Sequence, residues 1–233
     1  MTATLQPRWG AVVVAAGRGE RFGDGDKLLA PLAGRAVVAW AVDAIVSEQR
    51  VCDVVVVTGP ENGIGIRDAI GSSRSGCGVT YCAGGPTRSA SVVCGLAALA
   101  PGITHVAVHD GARPLVAPEH VRQVLDAAER AGAATLALQP ASTIGVLDSG
   151  GRELAGSLDR SRLLELQTPQ AAARDALCDA LFRFPDETDE SSALFRAGYN
   201  VAIVDGSRGN IKITVPEDLR IAGALARVRA TLT

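Results

Sequence analysis

Four apolar runs punctuate the chain: WGAVVVAA (9–16), VCDVVVVTG (51–59), HVAVHD (105–110) and ATLALQP (134–140). Continuous runs of this kind predict strands buried on both faces of a mostly parallel sheet. Between them the spacing turns helical, in AVVAWAVDAIVS (36–47), RSASVVCGLAALA (88–100) and APEHVRQVLDAAERAG (117–132). In the last of these, Val121, Leu125 and Ala128 fall on one face with charges opposite. Near the end, TVPEDLRIAGALARV places Pro216 and two acids at a helix start. The alternation predicts a Rossmann-like α/β fold, a doubly wound and mostly parallel sheet forming a single domain over 1–233. Ligands of such sheets sit beyond the carboxyl ends of the strands.

One segment breaks the alternation. STIGVLDSGGRELAGSL (142–158) has short alternating runs on either side of DSGG, the signature of a β-hairpin. An inserted hairpin serves either as an arm reaching a partner subunit or as a solvent-facing flap. The residues alone leave both open.

Composition removes several classes of function. A chain of 233 residues with 47% hydrophobic content is long enough for a sizeable core. A net charge of −2 gives no broad basic footprint for nucleic acid. No apolar run approaches the ~18 residues of a membrane span, and the first nine residues lack the apolar core of a signal peptide. Five cysteines without a C-x-x-C pair read as reduced thiols, which points to the cytoplasm.

The candidate chemistry begins where the first strand ends. AAGRGERFGDGDK, from Ala15 to Lys27, packs glycines and basic residues into one loop. Such a loop suits an anion, and a surface turn is the plainer reading. It is not a P-loop, because Asp26 and Leu28 flank Lys27 where glycine and Ser or Thr would be needed. Nor is it the dinucleotide fingerprint: Gly17, Gly19 and Gly23 are spaced one residue too long, and no acid ends the second strand. What remains is a strand, a glycine loop able to approach phosphate closely, and then Arg21 and Lys27. The chain carries 21 arginines but only two lysines, Lys27 and Lys212. Lysine is a compact, mobile point charge and arginine a planar fork, so they do not interchange at a crowded phosphate. Lys212 lies in NIKIT, a strand-like stretch where an unpaired ammonium would be expensive.

AAGRGERFGDGDK, GGPTRSASV, VHDGARP, LQTPQ, TDE and NIKITVPEDL, in this order, resemble the 2-C-methyl-D-erythritol 4-phosphate cytidylyltransferases. The resemblance spans roughly residues 10 to 229, and ribitol-5-phosphate cytidylyltransferases are close relatives of that family. It implies that a phosphate monoester attacks the α-phosphorus of CTP with Mg²⁺ present, displacing pyrophosphate. It implies Arg21, Lys27, Arg160 and Lys212 as catalytic residues. Ala15, Ala16, Gly17 and Gly19 would cradle the triphosphate, Gly85 and Ser91 would read the base, and Arg88 would support that loop. Asp110 would lie near ribose or Mg²⁺. Arg113, Thr143, Thr168 and Thr188 would face the sugar-alcohol phosphate. For three of these a plainer role stays open: an ordinary first-turn serine for Ser91, a structural ion pair for Arg113, and a helix cap for the TDE segment. The resemblance also implies a homodimer joined through the hairpin arm, with Arg160 serving the neighbouring subunit.

The chain departs from the family pattern at four places: Asp26 where proline is common, Pro86 where an acid is common, and Ser142 and Gly145 where an acid and a lysine are common. The last removes a cation near the expected sugar site. Ribitol phosphate therefore stays open as the alcohol substrate, and so does a nucleotide-binding regulator without turnover.

Overall fold

The computed structural model describes residues 6–232 apart from 18, 24 and 72–76. β1 (Trp9–Ala15) leads into the glycine loop, which holds one 3₁₀ turn (Glu20–Phe22). A small pair, β2 (Pro31–Leu32) and β3 (Arg35–Ala36), precedes α1 (Val37–Val46). The alternation continues through β4 (Val51–Thr58), α2 (Gly63–Ile70), β5 (Gly78–Ala83), α3 (Arg88–Ala98), β6 (His105–Asp110), α4 (Pro118–Ala131) and β7 (Ala133–Leu138). β8 (Ile144–Leu147) and β9 (Leu154–Leu158) pair only with each other. Then come β10 (Glu165–Ala173), α5 (Arg174–Arg183), α6 (Glu190–Arg196), β11 (Val201–Asp205) and α7 (Pro216–Leu232).

The main sheet has seven strands in the order β11-β7-β10-β6-β1-β4-β5. From β1 the chain winds outward through β4 and β5, then returns to place β6 on the other side of β1. The two directions of winding part between β1 and β6, and a crevice opens there beyond the strand ends. β10 alone runs against its neighbours, with Gln170 opposite Val108 on β6 and Glu165 opposite Leu138 on β7.

Successive residues of the central strands feed opposite layers, as a strand's two-residue period requires. Trp9, Ala11 and Val13 of β1, with Val54 and Val56 of β4, join Val38, Val42, Val124 and Leu125 of α1 and α4. Val12, Val55 and Val57 pack on the other face against Val92 and Leu96 of α3 and Leu177 of α5. A third cluster joins Phe22 of the glycine loop, Leu115, Ile213 and Ala222 of α7. It ties the loop, the Lys212 segment and the last helix together at the rim of the crevice.

The doubly wound sheet and the 142–158 hairpin follow the sequence pattern. The short β2–β3 pair and three strands of the main sheet escape it. β5 and β11 lie at the sheet edges and are only partly buried. β10 reads ELQTPQAAA, whose glutamines and proline mask a strand buried through tertiary contacts and broken in register between Gln167 and Gln170. The Lys212 stretch is corrected: residues 211–214 join no ladder and run as an extended loop. That loop is pinned where Ile213 N–H donates to Ala112 O at 2.8 Å.

Candidate active site

The crevice holds a cavity of about 730 Å³, within the range of small-ligand sites. Five segments line it. After β1 come Ala16, Gly17, Gly19, Arg21, Lys27 and Leu28; after β4, Pro60. After β5 come Gly85, Pro86, Thr87, Arg88 and Ser91; Asp110 ends β6, and Lys212 and Thr214 precede α7.

Asp110 is the electrostatic centre. Its Oδ1 accepts from Arg88 Nη2 at 3.1 Å and Nε at 3.2 Å, and its Oδ2 lies 2.7 Å from Lys212 Nζ. Burial alone would raise its pKa, but Arg88, Lys212 and Arg113 outweigh that and hold the carboxyl well below the usual range. Its backbone N–H donates to Thr168 Oγ1 at 3.0 Å. Thr168 Oγ1 in turn lies 3.0 Å from His109 Nδ1, and His109 Nε2 lies 3.1 Å from Arg113 O. One proton arrangement satisfies the whole chain: His109 is neutral, donates from Nε2 and accepts at Nδ1. Burial pulls its pKa down to about 4, which favours that neutral form.

Arg88, in the first turn of α3, also binds Glu190 through Nη1 at 2.7 Å and Nη2 at 3.1 Å. Glu190 is fully buried at the start of α6, so Arg88 fixes that helix to the cavity wall. The charges within the lining are therefore unevenly matched. Arg88 and Lys212 have carboxylates in direct contact, whereas at Lys27 the pull of Asp110 and Asp26 does not offset burial and the neighbouring cations. Its pKa is lowered by burial first, then by Lys212 and Arg21. An anion entering the cavity would relieve that crowding.

Glycines set the close approaches. A Cβ on Gly85 would lie 2.6 Å from Ala90 Cβ, and one on Gly84 would lie 2.5 Å from Ala16 Cβ. The turn after β5 thus rests directly on the loop after β1. Ser91 Oγ accepts from Gly85 N–H at 3.1 Å and lies 2.9 Å from Thr87 O, so the hydroxyl braces that turn from within the cavity wall.

The expected residues divide. Ala16, Gly17, Gly19, Arg21, Lys27, Gly85, Arg88, Ser91, Asp110 and Lys212 all line the cavity. Ala15 is buried directly behind the loop. Arg113 turns away from the lining, with Nη1 donating to Asn210 O at 2.8 Å and Nε 3.7 Å from Asp110, which matches the structural ion pair. Thr168 is buried and serves the Asp110 backbone. Thr188 is exposed beside Asp189, whose carboxylate caps α6 by accepting from Ser192 N–H. Thr143 lies on the hairpin segment and Arg160 in the 3₁₀ turn just after it (Arg160–Arg162), both exposed, with Arg160 Nη1 donating to Ala141 O at 2.7 Å. Glu190 and Asn210 were missed as site-building residues. Both are buried polar groups whose partners come from distant segments; Glu190 closes the TDE motif and Asn210 opens NIKIT, but neither motif says what its residue would bind.

A cavity at the switch point of a doubly wound sheet, walled by a glycine loop and carrying surplus cations, defines a nucleotidyltransferase-type site. The model of the 2-C-methyl-D-erythritol 4-phosphate cytidylyltransferase family, IspD, matches residues 10–228, and the chain belongs to that family. It is 38% identical to the enzyme of that name from Synechococcus sp. (strain CC9902), over 94% of this chain and 98% of the relative. It is 39% identical to the one from Pelotomaculum thermopropionicum, over 94% of both chains. Among solved structures, the 2-C-methyl-D-erythritol 4-phosphate cytidylyltransferase from Thermus thermophilus superposes with a TM-score of 0.75 at 30% identity, covering 94% of this chain and 98% of that one.

Proposed function

We propose that the chain joins CTP to 2-C-methyl-D-erythritol 4-phosphate, giving the CDP-alcohol and pyrophosphate. A phosphate-monoester oxygen attacks the α-phosphorus of CTP, and the bond from that phosphorus to the bridging oxygen breaks as pyrophosphate leaves. The attacking phosphate, with a second pKa near ~6, is already anionic at neutral pH, so no general base is required. The protein's work is to hold two anions in line and to spread the charge of the crowded phosphorus. The observation that carries the reading is the half-buried Lys27, facing the cavity beside Lys212 and Arg21 at the mouth of the glycine loop. In this reading Gly17 and Gly19 cradle the triphosphate, and Gly85 and Ser91 hold the turn that reads cytosine.

Mg²⁺ belongs to the proposal as an ion brought by the substrate. Among the described residues no group of three or more His, Cys, Asp or Glu side chains could hold a metal. Asp110 is the carboxylate at the cavity, which fits an ion carried mainly by phosphate oxygens. Bound there, it would neutralise charge on the triphosphate.

The arm completes the proposal. Leu147 and Leu154 on β8 and β9 are 64% and 75% exposed, an apolar hairpin surface that a second copy would cover. The homodimer would then carry Arg160 and Thr143 to the neighbouring cavity. Among the described residues no helix is long and apolar enough to cross a membrane, and a cytoplasmic setting matches five free cysteines.

Pyrophosphate release from CTP, UTP, ATP and GTP tests the reading, with methylerythritol phosphate and then ribitol phosphate as acceptor. Turnover specific to CTP and methylerythritol phosphate is expected. Turnover with ribitol phosphate alone would move the substrate to that alcohol, and binding without turnover would make the chain a regulator.

A further inference from the structure

Asp26, directly before Lys27, makes two hydrogen bonds in different directions. Its Oδ1 accepts the backbone N–H of Leu28 at 2.8 Å, and its Oδ2 accepts the side-chain amide of Asn62 at 2.8 Å. The first is a local turn of a common kind. The second joins the glycine loop to the turn after β4, 36 residues away. Asn62 is buried, and its amide orientation is fixed by two backbone groups: Nδ2 also donates to Ala15 O at 3.2 Å, and Oδ1 accepts from Gly59 N–H at 2.9 Å. It therefore presents a donor to position 26, and only an acceptor there completes the bond. The two turns are nearly in contact, since a Cβ on Gly59 would lie 3.1 Å from Ala16 O.

We propose that Asp26 and Asn62 form a latch that positions Lys27 for the transfer step. Lys27 stands between two anchored neighbours, the latched Asp26 and the buried Leu28. Its stem is further confined by Gly19, where an added Cβ would lie 3.3 Å from Lys27 Cδ. With its backbone fixed and its stem walled, the ammonium loses most of the search it would otherwise make among rotamers. Asp26 and Asn62 are positioning residues that act through Lys27. The inference rests on the reading of Lys27 as the cation that meets the transferring phosphates.

Asp26→Ala removes the latch at a partly exposed position, so the fold should survive. The expected result is a kcat about thirtyfold lower, with KM for CTP and Tm little changed. Asn62→Asp sets two carboxylates face to face and should cost at least as much. Adding Asp26→Asn to it restores a donor–acceptor pair and should recover about fivefold or more, which a general packing defect would not. Hydrogen exchange at the Leu28 amide in Asn62→Ala gives a readout independent of turnover: its protection should fall although its own acceptor, Asp26 Oδ1, is still present. Wild-type turnover in the Asp26→Ala variant, or unchanged Leu28 protection in Asn62→Ala, would each overturn the latch. Failure of the wild-type chain to turn over CTP would count against the functional reading alone, with Leu28 exchange still deciding the latch.

Discussion

The cavity and the hairpin arm solve opposite problems. At the cavity, polar groups are withdrawn from water and matched to one another: Asp110 with Arg88 and Lys212, Glu190 with Arg88, His109 with Thr168 and the Arg113 carbonyl. At the arm, apolar groups are left in water, and β8 and β9 pair only with each other. The cavity holds its geometry from within its own chain. The arm has little core of its own, and the proposed second copy would supply the surface it lacks.

The largest effect comes from unbalancing the charges of the cavity. Arg88→Ala leaves fully buried Glu190 without its counter-charge and Asp110 with one cation fewer. A loss of about 4 kcal/mol is expected, a Tm drop on the order of 10 °C by calorimetry. A loss under about 1 kcal/mol would show that the pair is not the strut described here.

Next in size is a charge-conserving change. Lys27→Arg keeps the cation but widens it into a plane that cannot occupy a lysine's place between phosphates. A fall of about a hundredfold in kcat/KM is expected, close to that of Lys27→Ala. Near-wild-type activity in the arginine variant would mean that charge alone matters there.

A smaller effect comes from pH. Burial depresses the folded His109 pKa to about 4 from its ordinary value of 6.5. As pH falls below that ordinary value, the unfolded chain takes up a proton that the folded chain refuses until about pH 4. Stability is therefore full above the unfolded pKa and drains between the two values. Urea unfolding at about pH 7.5 and pH 5 should differ by about 2 kcal/mol through this residue. His109→Gln should flatten the slope in that window, and an unchanged slope would assign the loss to other groups.

The mildest prediction tests whether the arm reaches across. Lys27→Ala and Arg160→Ala chains, each inactive alone, are mixed under conditions that allow subunit exchange. If Arg160 acts in the neighbour's cavity, one site of each mixed dimer carries both defects and the other neither, and about a quarter of the wild-type activity returns. Confirmed mixed dimers without recovery would place Arg160 in its own chain's site.

Much of this was legible in the chain, for a physical reason. The winding of the sheet is written in unbroken apolar runs, and the glycine loop and scarce lysines mark a place where ordinary surface chemistry is set aside. Asp110 was legible through the family resemblance, which marks the acid ending the strand HVAVHD. What escaped were residues whose meaning depends on a distant partner. Glu190 looks like any first-turn acid until Arg88 meets it. Thr168 and Arg113 suggest ligand contacts, and the fold spends their bonds on the Asp110 backbone and on Asn210. Asp26 stood out by its departure from a family pattern, yet its bond to Asn62 crosses between two turns that no periodicity connects.

The reversed direction of β10 bears on how the arm is attached. Because Glu165 pairs with Leu138, residues 139–164 are the connection of an ordinary antiparallel hairpin, grown long. Both roots of the insertion emerge on the edge where the parallel strands end, beside the cavity. Replacing the whole insertion with a short turn would change the cost of closing that loop by only about 1–2 kcal/mol. The insertion is thus a detachable module in the topological sense: its length and sequence can drift while the seven strands and the crevice stay wired as they are.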